Sequence, residues 1–238
     1  MKYKEWLNIW LENYIKPSSK MQTAKSYERI IHKQISVALG EKELTNLTTM
    51  DIQLFVTDLL NNGNTRTHSG LAANSVYGII SVIQSSLKMA VILGYASKSV
   101  SVGIKHPKIK SKEITCFTIS EQKKIEEAAL SAKKDKYRGI ILCLYTGLRI
   151  GELLALTWND IDFDKNILSV TKTCHDGNED GKHVRIIDTP KTENSRRQIP
   201  LSKTLVKMLK ELKKKSKCEF VIADGEKPVF MRQFKFFK

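Results

Sequence analysis

Cysteine is scarce in this chain and poorly placed for chemistry. Four cysteines occur in 238 residues, at 116, 143, 174 and 218. No two of them form a Cys-x-x-Cys pair, so the spacing suggests neither a zinc site nor a disulfide framework. Cys143 lies in an apolar helical segment and reads as core packing. Long hydrophobic runs are missing as well. The longest, near 139–145 and 89–96, fall far short of the roughly 20 apolar residues that span a bilayer. The N-terminus, Met1-Lys-Tyr-Lys-Glu-Trp6, has no apolar signal-peptide core. No internal repeat is visible. These absences predict a soluble, cytoplasmic protein with no membrane partner.

Positive charge is abundant by contrast. Lys plus Arg number 40 and Asp plus Glu 25, a net charge of +15. Residues 1–111 carry 14 basic and 7 acidic side chains, and residues 112–238 carry 26 and 18. Both halves are positive, as expected if both lie against one polyanion. A solvated lysine-rich surface explains the same numbers, since only 6 of the 26 basic residues in the second half are Arg. The length suits one large or two modest domains.

Helical periodicity dominates the first hundred residues. Trp6, Leu7, Trp10, Leu11 and Tyr14 share one face of a helix over 4–15. A second helix over 21–36 carries Tyr27, Ile30, Ile31 and Ile35. Thr48 and Asp51 form a capping box that opens a third helix reaching Leu60. A fourth spans 71–93, with Val76, Ile79, Ile80, Ile83, Leu87, Ala90 and Val91 apolar. From 96 to 113 the chain turns to Ser, Lys, Gly and Pro without a period and reads as a linker. Thr118 and Glu121 make another capping box, opening a helix to 131. Helices over 135–146 and 148–156 follow. The period then switches to two. Strands are expected at 167–173, 183–188 and 195–199, with a polar loop at 174–182. A helix over 203–215 and a short strand at 220–222 close the pattern. The fold class is mainly α with a small β-hairpin or sheet. The domains are 1–95, a linker at 96–113, and 114–238.

The most informative stretch is Tyr145-Thr-Gly-Leu-Arg149-Ile-Gly-Glu152-Leu-Leu-Ala-Leu-Thr-Trp158-Asn-Asp160-Ile161. It reads as an apolar helix with Arg149 inside it and Glu152 one turn later on the same face. A buried guanidinium is costly unless it is paired or binds an anion. A local Arg149–Glu152 ion pair satisfies that demand, and so does a phosphate.

Two motifs decide between them. Thr146-Gly-Leu-Arg149-Ile-Gly-Glu152-Leu and Thr189-Pro-Lys191-Thr-Glu-Asn-Ser-Arg196-Arg197-Gln-Ile-Pro-Leu201 stand about forty residues apart. In this order the chain resembles the phage-integrase or tyrosine-recombinase family. The resemblance implies a helical SAM-like core-binding bundle at 1–95 and part of an α+β tyrosine-recombinase catalytic domain at 114–238. It implies DNA strand breakage and rejoining through a 3′-phosphotyrosine. Arg149 then binds the non-bridging phosphate oxygens bidentately. Lys191 gives a proton to the leaving 5′ oxygen. Glu152 supports Arg149. Lys25, Arg29, Asn74 and Ser75 are expected to face the duplex, and Arg196 and Arg197 to contact phosphates or lie at the surface. The implied partners are double-stranded DNA and other recombinase protomers, with no small-molecule substrate. No metal or organic cofactor is implied, because the phosphotyrosine stores the bond energy.

The resemblance stops short of the family's His-x-x-Arg box and its tyrosine nucleophile. None of the five histidines has Arg three residues later, and no tyrosine follows Tyr145. The expectation is a C-terminally truncated recombinase that is inactive alone, or a non-catalytic remnant that occupies recombination sites or modulates a full-length partner. Helices 119–131, 135–146 and 148–156 are then expected to leave apolar faces uncovered, with Phe230, Phe234, Phe236 and Phe237 folding back over part of them.

Overall fold

The computed structural model describes residues 1–64, 66–67, 69–98, 100–109, 113, 115–179, 181–189 and 195–234. The chain divides into two compact units, Met1–Glu113 and Ile114–Lys238. It is mainly helical, and among the described residues its small antiparallel sheets lie in the second unit.

In the first unit, α1 begins at Tyr3–Trp10 and continues through a π-helical stretch, Leu11–Ile15, into Lys16–Ser18. The same device lengthens α2 from Met21–Ile30 through Ile31–Ile35 to Ser36–Leu39. Helices α3 (Thr49–Asn62) and α4 (Ala73–Ile92) complete the bundle. The i, i+3, i+4 spacing of Tyr3, Trp6, Leu7, Trp10 and Leu11 puts all five in one core with Ile31, Ile35, Ile52, Phe55, Ile80 and Ile83. The polar ends of these aromatics are satisfied inside. Tyr3 Oη shares a hydrogen bond with Ser86 Oγ at 2.9 Å, and Trp6 Nε1 donates to the Ser86 carbonyl at 3.1 Å. Burial pushes the Tyr3 phenol well above its ordinary range. Among the described residues, α4 is the one helix long and apolar enough to cross a membrane. Here it is a core helix, burying Val76, Ile79, Ile80, Ile83, Leu87 and Ala90.

The capping boxes form as expected. Asp51 N donates to Thr48 Oγ1 at 3.2 Å, and Thr48 N to the Asp51 carboxylate at 3.0 Å. Thr118 and Glu121 repeat the arrangement at the start of α5 (Ile119–Ser131). The expected linker differs from its sequence reading. Its first part packs on the first unit: Ile104 is buried in that core, Thr49 Oγ1 donates to the Val100 carbonyl, and Lys105 N donates to Gln53 Oε1. Side chains of α3 satisfy this backbone, so no regular element and no period was needed to order it.

In the second unit, α6 (Arg138–Thr146) and α7 (Ile150–Ala155) precede a three-stranded sheet of β1 (Ile161–Asp162), β2 (Ile167–Val170) and β5 (Arg197–Pro200), in the order β1-β2-β5. Between β2 and β5 lies a separate hairpin, β3 (Thr173–Glu179) with β4 (Lys182–Asp188). Helix α8 (Lys203–Lys215) and a last pair, β6 (Ala223–Asp224) and β7 (Lys227–Pro228), follow. Three expectations change here. The polar loop at 174–182 is largely β3, whose pairing with β4 overrides its weak strand composition. The strand expected at 167–173 is two strands broken at Thr171 and Lys172. The strand expected at 220–222 is a bridge from Phe220 to Thr157, with the regular pairing shifted to Ala223.

Uncovered apolar faces are also distributed otherwise than expected. Helix α7 is buried from Gly151 to Ala155, with Leu153, Leu154 and Ala155 in the second core. On α5, Ile119 and Leu130 are exposed and only Ala129 is buried. Of the four terminal phenylalanines, Phe230 lies over the Arg185 guanidinium. Phe236 and Phe237 fall outside the described residues.

Among the described glycines of this unit, the tightest approach to another segment's backbone is at Gly151. A Cβ there would lie 2.6 Å from Thr173 Oγ1 and 2.7 Å from the Cys174 carbonyl oxygen. Gly151→Ala should therefore push α7 off β3 and lower the protection of the second unit by roughly 1–3 kcal/mol. Amide hydrogen exchange over 138–188 measures it, and unchanged protection would show that the contact yields freely.

Candidate active site and nucleic-acid interface

The site in the second unit is built around a turn. Gly147 ends α6 in the left-handed conformation, φ 64°, which a residue without Cβ adopts readily. Arg149 is therefore not inside a helix, as its apolar neighbours suggested. It is the extended residue that precedes α7, φ −70°, ψ 150°. Glu152, three residues on, reaches back to accept from Arg149 N at 3.0 Å. This is the carboxylate half of a capping box.

The same carboxylate accepts from three guanidinium nitrogens. Arg149 Nη1 donates to Oε1 at 2.9 Å. Arg197 Nη1 donates to Oε1 at 3.2 Å and its Nη2 to Oε2 at 2.9 Å. Side-chain exposure separates the three residues: 4% for Glu152, 30% for Arg197 and 73% for Arg149. The Arg149 guanidinium is not buried; the buried charge is Glu152. Burial pushes the Glu152 carboxyl up, but Arg197 and the two Arg149 donors outweigh it and hold the carboxyl below its ordinary value. The Arg197 guanidinium is raised in turn by its bond to Glu152.

Arg197, expected among surface or phosphate contacts, thus joins Arg149 and Glu152, and its neighbour Arg196 is exposed. Lys191 falls outside the described residues, which resume at Ser195. A half-buried arginine was missed. Arg185 on β4 donates Nη1 to the Leu154 carbonyl at 2.9 Å and Nη2 to the Val229 carbonyl, and lies over the Phe220 ring at 4.6 Å. Burial lowers its pKa. The Asp176 carboxylate accepts from Met231 N and Arg232 N, so the hairpin and the segment 229–232 are fastened together. Arg185 stands between Val184 and Ile186 on β4, and no spacing in the sequence marked it as internal. Among the described residues no group of three or more His, Cys, Asp or Glu side chains is placed to hold a metal ion.

The first unit carries a groove of about 570 Å³ between α2, α4 and the loop after α3. It brings together Arg29, Asn74 and Ser75, three of the four residues expected to face a duplex, and adds Lys33, Arg66 and Thr67. Lys25 is exposed on α2 but does not line it. Lys33 was legible, since it sits four residues after Arg29 on the same helical face. Arg66 belongs to a loop and had no periodic signal.

Comparison with known families now bears on both units. A model described as Phage integrase family matches residues 115–235, and one described as Phage integrase, N-terminal SAM-like domain matches residues 2–60. The chain belongs to the phage integrase family.

Among phage-integrase relatives, the chain is 30% identical over 219 residues to a tyrosine recombinase XerC-like protein of Caldanaerobacter subterraneus, covering 86% of this chain and 53% of that protein. It is 28% identical over 195 residues to the ICEBs1 integrase of Bacillus subtilis, covering 82% and 50%. It therefore spans about half the length of these curated relatives. In fold it is similar to the Tn1549 transposon integrase solved with circular intermediate DNA, with TM-score 0.81 at 17% identity over 97% of this chain and 74% of that one. The lambda integrase dimer on a core site gives 0.69 at 21% identity, over 96% and 59%.

The depressed Glu152 value carries a pH consequence. A carboxyl with a lower pKa folded than unfolded contributes stability that is complete above the ordinary value of 4.5 and is lost as pH falls through the folded value. Glu152→Gln should destabilise the second unit at pH 7, by on the order of 3 kcal/mol for a broken buried pair. The gap to the parental chain should close as pH falls below 4.5. Thermal melts from pH 7 to pH 3 test this, and a gap that stays constant would place the role of Glu152 outside its charge.

Proposed function

We propose that this chain binds double-stranded DNA as part of a site-specific recombinase of phage or integrative-element type, acting on cytoplasmic DNA alongside other protomers. The observation that carries the reading is the Arg149 guanidinium. It is largely exposed, yet its backbone and one nitrogen are held by a buried carboxylate. Such an arrangement presents a fixed, permanently charged fork to an anion. In the strand-transfer reaction of this family, charge grows on the non-bridging phosphate oxygens, and Arg149 is the residue we assign to them. We assign to Lys191 the protonation of the leaving 5′ oxygen and to Glu152 the support of Arg149. The groove lined by Arg29, Lys33, Arg66, Asn74 and Ser75 supports a second set of phosphate contacts.

Cleavage requires a tyrosine hydroxyl, and none of this chain's seven tyrosines follows Tyr145. We therefore infer that these 238 residues bind DNA without cutting it. Occupation of recombination sites, or modulation of a full-length recombinase, is the second reading, favoured by that same distribution of tyrosines. A nicked suicide duplex tests the absence of cleavage that both readings share. No covalent adduct is expected, and an adduct trapped on this chain would overturn the non-cleaving reading.

Binding should depend steeply on salt. With about six phosphates contacted, affinity should fall ~10³-fold between 50 and 200 mM salt. A flat response in a mobility-shift titration would argue against phosphate contacts by both units. Arg149→Ala should weaken binding modestly and lower the slope of log affinity against log salt by about one. An unchanged slope would remove Arg149 from the interface.

A further inference from the structure

We propose that Arg197 is a positioning residue for Arg149: by neutralising Glu152, it keeps the Arg149 guanidinium free for a phosphate. The inference rests on the DNA-binding reading above but concerns a residue that touches no DNA in it.

The cluster holds one negative and two positive charges. Glu152 is almost fully buried, so its charge demands a partner in place. Arg197 meets that demand, since its two terminal nitrogens reach both carboxylate oxygens. Arg149 contributes one guanidinium nitrogen to one oxygen, and its backbone N–H takes the other. Arg197 is fixed independently of Arg149. It opens β5 opposite Val170, and its guanidinium also donates to the Ser195 carbonyl at 3.3 Å and to the Gly147 carbonyl at 3.5 Å. Its forked end is thus spent inside the protein. Arg149 remains 73% exposed, with the net positive charge of the cluster at the surface.

Without Arg197, Arg149 is the one guanidinium left on the buried carboxylate among the described residues. The Arg149 side chain should then turn inward, take both oxygens and lose its availability to an external anion. Two arginines on one carboxylate are therefore a division of labour. One answers the buried charge, and the other stays available to solvent.

Phenylglyoxal labelling of the full chain, read by peptide mass spectrometry, tests this without DNA. Arg29, exposed in the first unit, is the internal reference. Arg197→Gln should slow labelling of Arg149 several-fold relative to Arg29. The double variant Arg197→Gln, Glu152→Gln should return it toward the parental rate, because no buried carboxylate then captures Arg149. Arg197→Lys, which keeps the charge, should fall between. Unchanged or faster labelling in Arg197→Gln would overturn the proposal, as would failure of the double variant to recover. Unfolding of the second unit would appear as faster labelling of the half-buried Arg185 and would count against a positioning role.

The binding arm follows from the same chains. Fluorescence anisotropy with a duplex should show Arg197→Gln weakening binding three- to tenfold. In the Arg149→Ala background the same change should add nothing. Equal losses in both backgrounds would mean that Arg197 acts without Arg149. Absence of salt-dependent binding by the parental chain would instead sink the DNA-binding reading and leave the labelling result standing.

Discussion

A buried carboxylate organises the second unit. Glu152 has almost no exposure to water, and an unpaired charge there would cost several kcal/mol. Every element that reaches it is bound by that requirement. The turn after α6 supplies the Arg149 backbone N–H, β5 supplies Arg197, and the Arg149 side chain closes the remaining side. Residues distant in sequence are thereby held around one pair of oxygen atoms. The two glycines that flank this arginine serve the same end. Gly147 turns the chain with a positive φ, and Gly151 lets the first turn of α7 rest against β3.

The first unit solves a different problem with different chemistry. Its core is large, aromatic and aliphatic, and its internal polar ends meet at one serine, Ser86. Charge is kept on the outside, where Arg29, Lys33 and Arg66 line a groove. The second unit instead admits charge into its interior at Glu152, which two arginines answer, and half-buries Arg185, whose two terminal nitrogens reach backbone carbonyls. That contrast fits a scaffold that presents side chains in one unit and a site that must orient them in the other.

Much of the fold was legible from residue pattern. Trp6, Leu7, Trp10 and Leu11 announce a helix face, and Thr48 with Asp51 and Thr118 with Glu121 announce two helix starts; each forms. What the pattern hid has physical causes. Arginine is no N-cap residue, so the start of α7 at Ile150 was invisible inside an apolar run. Strand β3 reads Thr-Cys-His-Asp-Gly-Asn-Glu, polar but for the buried Cys174, and owes its conformation to its β4 partner. The segment around Ile104 has no repeat because side chains of α3 hold its backbone. Arg149 and Glu152 were recognisable as a pair from spacing. The third member, Arg197, was not, because two adjacent arginines look alike until strand alternation turns one inward.

The hairpin and β5 also set a leash. Thr173 and Asp188 pair at the base of the β3–β4 ladder, and Thr173 presses on Gly151 beside Glu152. Arg197 enters β5 already bonded to the same glutamate. The chain between Asp188 and Arg197 is eight residues long and contains Lys191. Each of its ends is therefore moored within the neighbourhood of one carboxylate. A segment of this length spans at most ~29 Å when fully extended. The role proposed for Lys191 therefore draws on covalent reach: the length of chain between two fixed residues, and not the concentration of the protein, bounds its distance from Arg149.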